Sequence, residues 1–411
     1  MLRSYAKTTV ACFALVVVAV LFAVLGTHWL PRVLGAVVVV SSGLFAFGSA
    51  LFALSGAVVL VRYRRGALRE RDLFLELNRS REPGAIKAAT PARTGRMRRW
   101  LARCVLGHDL VVGDLVEIKT WAEIRPTLDQ RGCLDQMPFM PEMLVMCGRR
   151  THVFRCVHRL FDYRKTRRMR HMNGAVLLVG TVCGGSSHGG CEAACHTIWN
   201  AAWLRRVGPH DDVAGPPASS DLPTDIAVVQ FGTRAPHYSC QLTQLNAASR
   251  PIGDWSAINF LRPLIAGNVA PMAFVVGWLT HLFNELQHLR QGVSFPAFEA
   301  ALGGEGQEAP RLQAGDQVVV RSSAEIRATL NDQSLHKGLY FEPDMLKHCG
   351  RRYPVQAEVK KIIDIVTGEM RTMKTPAYIL SDVHFSGERQ LFNAQHEPLF
   401  WRSAWLKRDG G

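Results

Sequence analysis

The chain lacks the short motifs that mark several common enzyme classes. Its 411 residues contain neither a glycine-rich phosphate loop nor a paired-histidine metal motif. Both motifs place a reactive phosphate or metal ion directly, so their absence weakens an enzymatic interpretation without excluding one. The sequence favours a non-catalytic protein and leaves enzymatic activity open.

Acidic residues are also in short supply. Asp and Glu total 34 against 49 Lys and Arg, which gives a formal net charge of +15. Such a balance favours anionic partners, including acidic lipid headgroups and nucleic acid. A hydrophobic content of 48% with only 20% charged residues excludes a disordered chain and supports a substantial core.

The first 61 residues are almost without charge. Residues 9–27 and 33–61 carry no charged side chain, and each is long enough to cross a bilayer as a helix. A cleaved signal peptide is the alternative for the first of them. Thirteen basic and four acidic residues lie between 62 and 103, which by the positive-inside rule directs both termini to the cytoplasm. The sequence therefore predicts a two-span transmembrane hairpin over 1–61 in a bacterial inner membrane, then a basic juxtamembrane linker over 62–106.

An internal duplication organises the rest of the chain. The segment "GDLVEIKTWAEIRPTLDQRGC" from Gly113 realigns without a gap with "GDQVVVRSSAEIRATLNDQSL" from Gly315, 202 residues later. The shift holds to the end, where "IWNAAWLRR" meets "FWRSAWLKR". Alternating apolar residues predict antiparallel strands, and "AEIR" predicts a short helix. We expect an α+β protein with two tandem β-rich modules, each a small curled sheet or barrel, over 107–208 and 309–409.

Two segments separate these modules. Residues 209–231 are rich in proline and serine and predict a linker. Residues 232–308 predict a helical connector. Within it, residues 263–283 carry no charge and predict an interfacial or core-packed helix, with a third membrane crossing as the alternative.

One copy contains a cluster of soft ligands. Cys183, His188, Cys191 and Cys195 lie within 13 residues of one another, and thiolate and imidazole are the ligands that zinc and iron–sulfur centres prefer. The four equivalent residues in the second copy are Phe385, Gln390, Asn393 and Glu397. The sequence predicts a metal site in the first module, with metal-free buried or redox-capable thiols as the alternative. The string "CEAACH" also approximates a c-type haem attachment, which requires an oxidising compartment.

Arginines suggest an anion-binding role. The repeated "CGRR" places two arginines after a cysteine in both copies, and "RKTRRMRH" adds a basic run in the first copy alone. Guanidinium groups bind phosphate and carboxylate well, although a solvated strand edge is the other interpretation. The candidate anion-binding residues are Arg149, Arg150, Arg164, Arg167, Arg168, Arg351 and Arg352.

The motifs "AEIRPTLD", "PFMPEML", "CGRR" and "GGCEAACHTIWNAAWLRR" resemble an uncharacterised bacterial family of hypothetical proteins with a duplicated module. The resemblance implies cysteines before the tryptophans, a pattern from which the second copy departs, and it implies no activity.

These observations favour a membrane-anchored, non-catalytic binding or scaffold protein with cytoplasmic modules, the first stabilised by zinc or an iron–sulfur cluster. The expected partners are the membrane, its anionic lipid headgroups and a second protein. A thiol- or metal-dependent enzyme acting on lipid-linked or envelope material is one alternative. A nucleic-acid-binding module is another, which the lack of interleaved aromatic residues disfavours.

Overall fold

The computed structural model describes residues 96–162, 168–208, 237–252, 257–292, 295, 311–387 and 392–409. This part of the chain is mostly β-sheet and includes a half-barrel. It divides into two compact units. The first unit contains both copies of the repeat except residues 341–348. The second unit contains residues 341–348 and 271–292.

Seventeen strands occur in the described residues. In chain order they are β1 Leu115–Ile118, β2 Cys133–Leu134, β3 Met137–Pro138, β4 Arg150–Cys156, β5 Leu160–Phe161, β6 Met169–His171, β7 Ala175–Val182, β8 His196–Asn200, β9 Leu204–Arg206, β10 Arg250–Pro251, β11 Gln317–Val320, β12 Leu335–His336, β13 Leu339–Tyr340, β14 Arg352–Ile363, β15 Met370–His384, β16 Pro398–Trp401 and β17 Leu406–Arg408.

Helices are fewer than strands in the same residues. The α-helices are α1 Arg96–Leu106, α2 Trp121–Ile124, α3 Gln241–Gln244, α4 Ala257–Ala266, α5 Pro271–Leu289 and α6 Ser323–Arg327. Short 3-10 helices follow at equivalent places in the two copies, such as Ala201–Trp203 and Ser403–Trp405.

The two copies build sheets of the same topology. The first five-stranded sheet has the order β8-β7-β4-β1-β9, and the second has the order β16-β15-β14-β11-β17. Each strand of one sheet has the corresponding strand of the other at the same place in the order. Strands β1 and β11 both pair with antiparallel neighbours on either side, so each lies inside its sheet. We call residues 107–208 module 1 and residues 309–409 module 2.

Local interactions explain why both segments form the same elements. In β1, Val116 and Ile118 are buried while their neighbours are partly exposed, which is the period of two expected of a strand with one face on a core. The next helix begins with a capping box in each copy, Thr120 with Glu123 and Ser322 with Glu325. Each carboxylate accepts from the backbone and hydroxyl of the capping residue, which fixes the start of the helix.

Tryptophans form the centre of both modules. Trp199, Trp203, Trp401 and Trp405 are fully buried. In each copy one indole donates to a threonine hydroxyl 76 residues earlier, at 3.0 Å, from Trp203 to Thr127 in module 1 and from Trp405 to Thr329 in module 2. A buried indole N–H requires such a partner, so the Thr–Trp pair is part of the repeated core.

The modules contact each other reciprocally. The amide of Glu192 donates to the carbonyl of Lys361, and the amide of Ala394 donates to the carbonyl of Arg159. Both donors and both acceptors differ by 202 residues, so the two hydrogen bonds are equivalent. Such an arrangement is what a two-fold symmetric dimer shows at its interface. The duplication therefore gives an internal, approximate two-fold relation within a single chain.

Two helices extend the core of module 1. Ala102 and Leu106 of α1 lie in its hydrophobic cluster. Helix α4 ends at Gly267, whose φ of 81° suits the left-handed position after a helix. The side chain of Asn268 then donates to the carbonyl of Cys156 and accepts from its amide, both at 2.9 Å. These bonds attach the end of α4 to β4.

The structure contradicts the predicted membrane architecture. None of the helices in the described residues is both long and apolar enough to cross a membrane. The uncharged segment 263–283 is divided between α4 and α5, and α5 continues into the polar sequence "NELQHL". The two spans predicted within 1–61, and most of the predicted basic linker, lie outside the described residues. The predicted class, a transmembrane hairpin followed by α+β modules, and the inner-membrane localisation are corrected to a mostly β-sheet chain without a membrane-spanning helix in its described part.

Candidate metal centre

The predicted soft ligands meet at one cavity of about 50 Å³. Cys183, His188, Cys191 and Cys195 all line it. A fourth cysteine, Cys240, also lines it, although it lies 45 residues beyond Cys195 in the sequence. Module 2 contributes Ile363 to the wall. The cavity thus carries four thiols and two imidazoles, those of His188 and His196, in a largely apolar enclosure.

The loop between β7 and β8 carries the first of these ligands. The amide of Cys183 donates to the carbonyl of Cys195 at 2.8 Å, so the loop closes on itself. Within it, the amides of His188 and Gly190 both donate to the carbonyl of Gly185. A Cβ at Gly185 would collide with the carbonyl of Cys191. Glycine is therefore required where the chain turns sharply enough to bring Cys183 and Cys191 to one cavity.

Cys240 is placed by its neighbour in the chain. Gln241 is buried, and its amide nitrogen donates to the carbonyls of Pro138 and Ile198 at 3.1 and 2.8 Å. Its amide oxygen accepts from the backbone N–H of Ile198 at 2.7 Å. These three hydrogen bonds bind the start of α3 to β3 and β8. Cys240 consequently faces the cavity from a segment outside the repeat.

A carboxylate completes the surroundings of Cys183 and His188. The Cys183 thiol donates to Oε1 of Glu142 at 3.1 Å, and Nε2 of His188 lies 3.4 Å from the same sulfur. On the other side of the ring, Nδ1 of His188 lies 3.0 Å from the hydroxyl of Ser187. That hydroxyl donates to Oε2 of Glu142 at 2.5 Å. Ser187 and Glu142 thus fix the orientation of the imidazole, as outer groups do around many metal ligands.

Three of the cavity thiols, those of Cys183, Cys195 and Cys240, have raised pKa values that favour the protonated form. Burial raises the pKa of Cys183, and the adjacent Glu142 carboxylate raises it further. Burial likewise raises the pKa of Cys195, followed by the charges of Glu397 and of the other cavity thiols. Burial is also the main cause of the raised pKa of Cys240. A neutral thiol is a poor nucleophile, so this site is unsuited to cysteine catalysis unless a cation displaces the protons.

The same loop has the spacing of a serine nucleophile elbow. Residues 185–189 read "GSSHG", with Ser187 at the centre. In hydrolases that use this motif, the serine lies on a turn from a strand into a helix. Here the segment connects two strands, β7 and β8, and the Ser187 hydroxyl lies 2.5 Å from Oε2 of Glu142 and 3.0 Å from Nδ1 of His188. The connection between two strands differs from the strand-to-helix turn of that motif.

The described residues of the corresponding loop in module 2, 385–387 and 392–397, repeat two features of the module 1 loop without the thiols. A Cβ at Gly387 would collide with the carbonyl of Asn393, as one at Gly185 would with Cys191. The amide of Phe385 donates to the carbonyl of Glu397, which repeats the bond that closes the loop of module 1. The closing hydrogen bond and the close approach at the glycine therefore do not depend on cysteine. Among the residues of this loop, Glu397 is buried beside Cys195, and burial raises its pKa to about 7.

The remaining predicted site residues lie elsewhere. Arg150 forms an ion pair with Glu117 at 3.0 Å, and Arg352 forms one with Asp409 at 3.3 Å. Arg149 is exposed and Arg351 partly exposed, and both hold strand partners through their carbonyl oxygens. Arg168 is exposed. Arg164 and Arg167 lie outside the described residues, so the structure gathers no anion site from the arginines that it does describe.

The sequence did not predict that Cys240 and Glu142 belong to this site. Both come from segments far from the cysteine cluster, and no spacing motif joins them to it. The available signal was weak: Cys240 is the next cysteine after Cys195, and Glu142 lies in "PEM", which realigns with "PDM" in the second copy. Cys156 lies in the core of module 1, where its thiol donates to the carbonyl of Leu110 at 3.6 Å.

Neither a family model nor a curated protein sequence matches this chain.

Proposed function

We propose that module 1 binds an iron–sulfur cluster through Cys183, Cys191, Cys195 and Cys240. The observation that supports this most directly is the convergence of four thiols, from two separate segments, on one enclosed cavity. All of the described cysteines around it are free thiols. Four cysteines are the usual ligand set of such clusters.

The spacing of the sulfurs favours a cluster over a single ion. Around one zinc ion with bonds of about 2.3 Å, cysteine sulfurs lie roughly 3.8 Å apart. In the described residues, no three cysteine sulfurs lie within 4.8 Å of one another. A cluster places iron and sulfide between its ligands and so holds the cysteine sulfurs farther apart.

His188 has a clear part in this proposal. Its Nε2 lies within hydrogen-bond distance of the Cys183 sulfur, and an N–H group beside a ligand sulfur raises the reduction potential of a cluster. A cluster with four cysteine ligands has no iron position free for substrate. Electron transfer or structural support is therefore the role that the site favours.

A single zinc ion is the second candidate. Glu142, Cys183 and His188 each offer a ligand atom within 4.8 Å of the others. In this arrangement one of the remaining cysteines supplies the fourth ligand, and zinc stabilises module 1. The two candidates share Cys183 but differ in their need for Glu142 and Cys195.

The test is elemental analysis of the full chain, purified without oxygen, with visible absorption spectra. The iron–sulfur proposal expects equal amounts of iron and acid-labile sulfide, with a colour that dithionite bleaches. Cys195→Ser and Cys240→Ser should each remove most of the iron. Cys104→Ser changes an exposed cysteine of α1 and should retain it. Glu142→Gln should also retain the iron.

Zinc without sulfide, lost in Glu142→Gln, would favour the second candidate and reject the cluster. A protein without any bound metal, folded as judged by circular dichroism, would reject both.

A further inference from the structure

A second group of metal-ligating side chains lies where the two modules meet. His196 is on β8 of module 1, His384 ends β15 of module 2, and His396 precedes β16. One nitrogen of each ring lies within 4.8 Å of one nitrogen of each of the others. The ring centroids of His384 and His396 are 4.3 Å apart, and those of His196 and His396 are 5.2 Å apart.

We propose that His196, His384 and His396 form a second metal site, which binds one divalent transition-metal ion and joins the two modules. This inference does not rest on the proposed iron–sulfur cluster, because none of its ligands is a cavity cysteine, although His196 also lines the thiol cavity. A tetrahedral ion with Zn–N bonds of 2.0–2.1 Å holds its nitrogens about 3.3 Å apart. Binding would therefore draw the three rings together by a small rotation of each.

The surroundings favour ligation over other uses of the rings. Nδ1 of His196 is buried and has no hydrogen-bond partner in the described residues, while the backbone of Thr181 hydrogen-bonds the ring. A ligand histidine commonly binds metal through one nitrogen and holds a backbone carbonyl with the other. Phe154 stacks on the His196 ring at 5.7 Å and packs edge-on against His396 at 4.7 Å. This packing limits the rotation of both rings.

The site is asymmetric although the modules are related by an approximate two-fold. The module 1 residues equivalent to His384 and His396 are Val182 and Ala194, which are not ligands. The duplication therefore gives one such site and not two. Because two of its ligands come from module 2 and one from module 1, a bound ion stabilises the contact between modules.

The chemistry of the ligands defines the class of ion. Three neutral imidazoles suit Zn²⁺, Cu²⁺, Ni²⁺ or Co²⁺ and do not suit Mg²⁺ or Ca²⁺, which prefer oxygen. Three protein ligands also leave one position of a tetrahedral ion for water or a small anion. This resembles the ligand number of catalytic zinc sites more than that of structural ones.

The test uses the full chain in a Cys183→Ser background, because both candidate sites in the thiol cavity need Cys183 and the histidine site does not. Zn²⁺ binding is followed by competition with a chromophoric chelator. We expect the parent to bind one equivalent of Zn²⁺. His384→Gln and His396→Gln should each lower the Zn²⁺ affinity by at least 10- to 100-fold, roughly the effect of losing an outer-shell partner. His152→Gln alters an exposed histidine of β4 and should bind as the parent does.

Zn²⁺ should also raise the unfolding temperature of the parent and not that of His384→Gln. Equal affinity in the parent and in both histidine variants would overturn the proposal, as would the absence of that equivalent from the parent.

A measurement on the wild-type chain remains decisive even if the variants misfold. One equivalent of Cu²⁺ should give an electron paramagnetic resonance spectrum with coupling to imidazole nitrogens, unchanged by prior loss of iron. A spectrum that shows only sulfur ligation, or no bound copper, would overturn the site. Absence of iron and sulfide from the purified protein, with nitrogen coupling present, would reject the cluster and leave the histidine site standing.

Discussion

Module 1 and module 2 have the same strand order but differ in the side chains that their loops place beside the sheet. Both have the same strand order, the same capping box and the same Thr–Trp hydrogen bond. The loop at Gly185 and the loop at Gly387 make the same close approach, one to Cys191 and the other to Asn393. Since the loop of module 2 folds without thiols, the thiols of module 1 are not there to shape the loop. This difference is the main reason to assign them a ligand.

A second difference lies in the hairpin next to the cavity. In module 2, β14 and β15 form a continuous pair of 12 and 15 residues. In module 1 the corresponding chain breaks into β4, β5, β6 and β7, and β6 pairs with β10 in a separate sheet. The longer hairpin brings the amides of Lys360 and Lys361 to the carboxylate of Glu192, at 2.6 and 3.1 Å. The two copies have thus diverged so that the hairpin of module 2 binds the loop of module 1.

The largest effect that tests this comparison concerns the shared core. Trp203→Ala and Trp405→Ala should each lower the free energy of unfolding by about 3–5 kcal/mol, because each removes a fully buried indole and leaves a cavity. Chemical denaturation with far-ultraviolet circular dichroism measures both. Trp100→Ala is the control, since that side chain is 61% exposed and its removal should change stability by about 0.5 kcal/mol or less.

If the two core variants differ by more than about 2 kcal/mol, the equivalence of the cores is wrong. Loss of only half of the unfolding signal in either variant would instead show that the modules unfold separately.

The loop comparison predicts an intermediate effect. Gly185→Ala and Gly387→Ala should each destabilise the protein by about 1–3 kcal/mol, because both positions have a positive φ and a Cβ would meet backbone. Gly185→Ala should in addition reduce the metal content, whereas Gly387→Ala should not. Thermal unfolding and iron analysis measure the two effects. Gly184→Ala is the matched control, since nothing lies within 4 Å of the added Cβ.

Similar metal content in all three glycine variants would mean that the sharp turn at Gly185 does not position the ligands.

The smallest effect concerns the capping boxes. The pKa of Glu325 is lowered to about 2, first by its hydrogen bond with Lys407 and then by Ser322. A carboxylate with a lowered pKa stabilises the folded state above its unfolded pKa of about 4.5, and this stabilisation is lost as the pH falls towards 2. Glu325→Gln should therefore cost about 1 kcal/mol or less near pH 7. The difference from wild type should disappear between about pH 4.5 and 2.

Glu123→Gln provides the comparison in module 1. The pKa of Glu123 is also lowered, chiefly by the Thr120 backbone and hydroxyl, so the same trend with pH is expected. A difference between wild type and either variant that persists unchanged at pH 2 would contradict the role assigned to these carboxylates.

The repeat and its secondary-structure elements could be predicted because each depends on residues that lie close together in the sequence. The ungapped shift of 202 residues, the alternation in "LVEI" and the capping sequence "TWAE" each act within a few residues. The structure places β1 and β11, and the helices after them, at those positions. Over residues 263–283 the sequence predicted one interfacial or core-packed helix, with a membrane crossing as the alternative, and the structure has two helices there. Gly267 ends α4, and the apolar segment does not continue as one helix.

The sequence by itself determined the duplication, the strands and caps within each copy, and the presence of soft ligands in the first copy only. These follow from side-chain periodicity and backbone preferences, which act over short distances. Only the tertiary structure decided that Cys240 faces the same cavity as Cys195, that Glu142 holds Cys183, and that His196 meets two histidines of the other module. Such contacts depend on how sheets and loops pack, and no spacing along the chain encodes that packing.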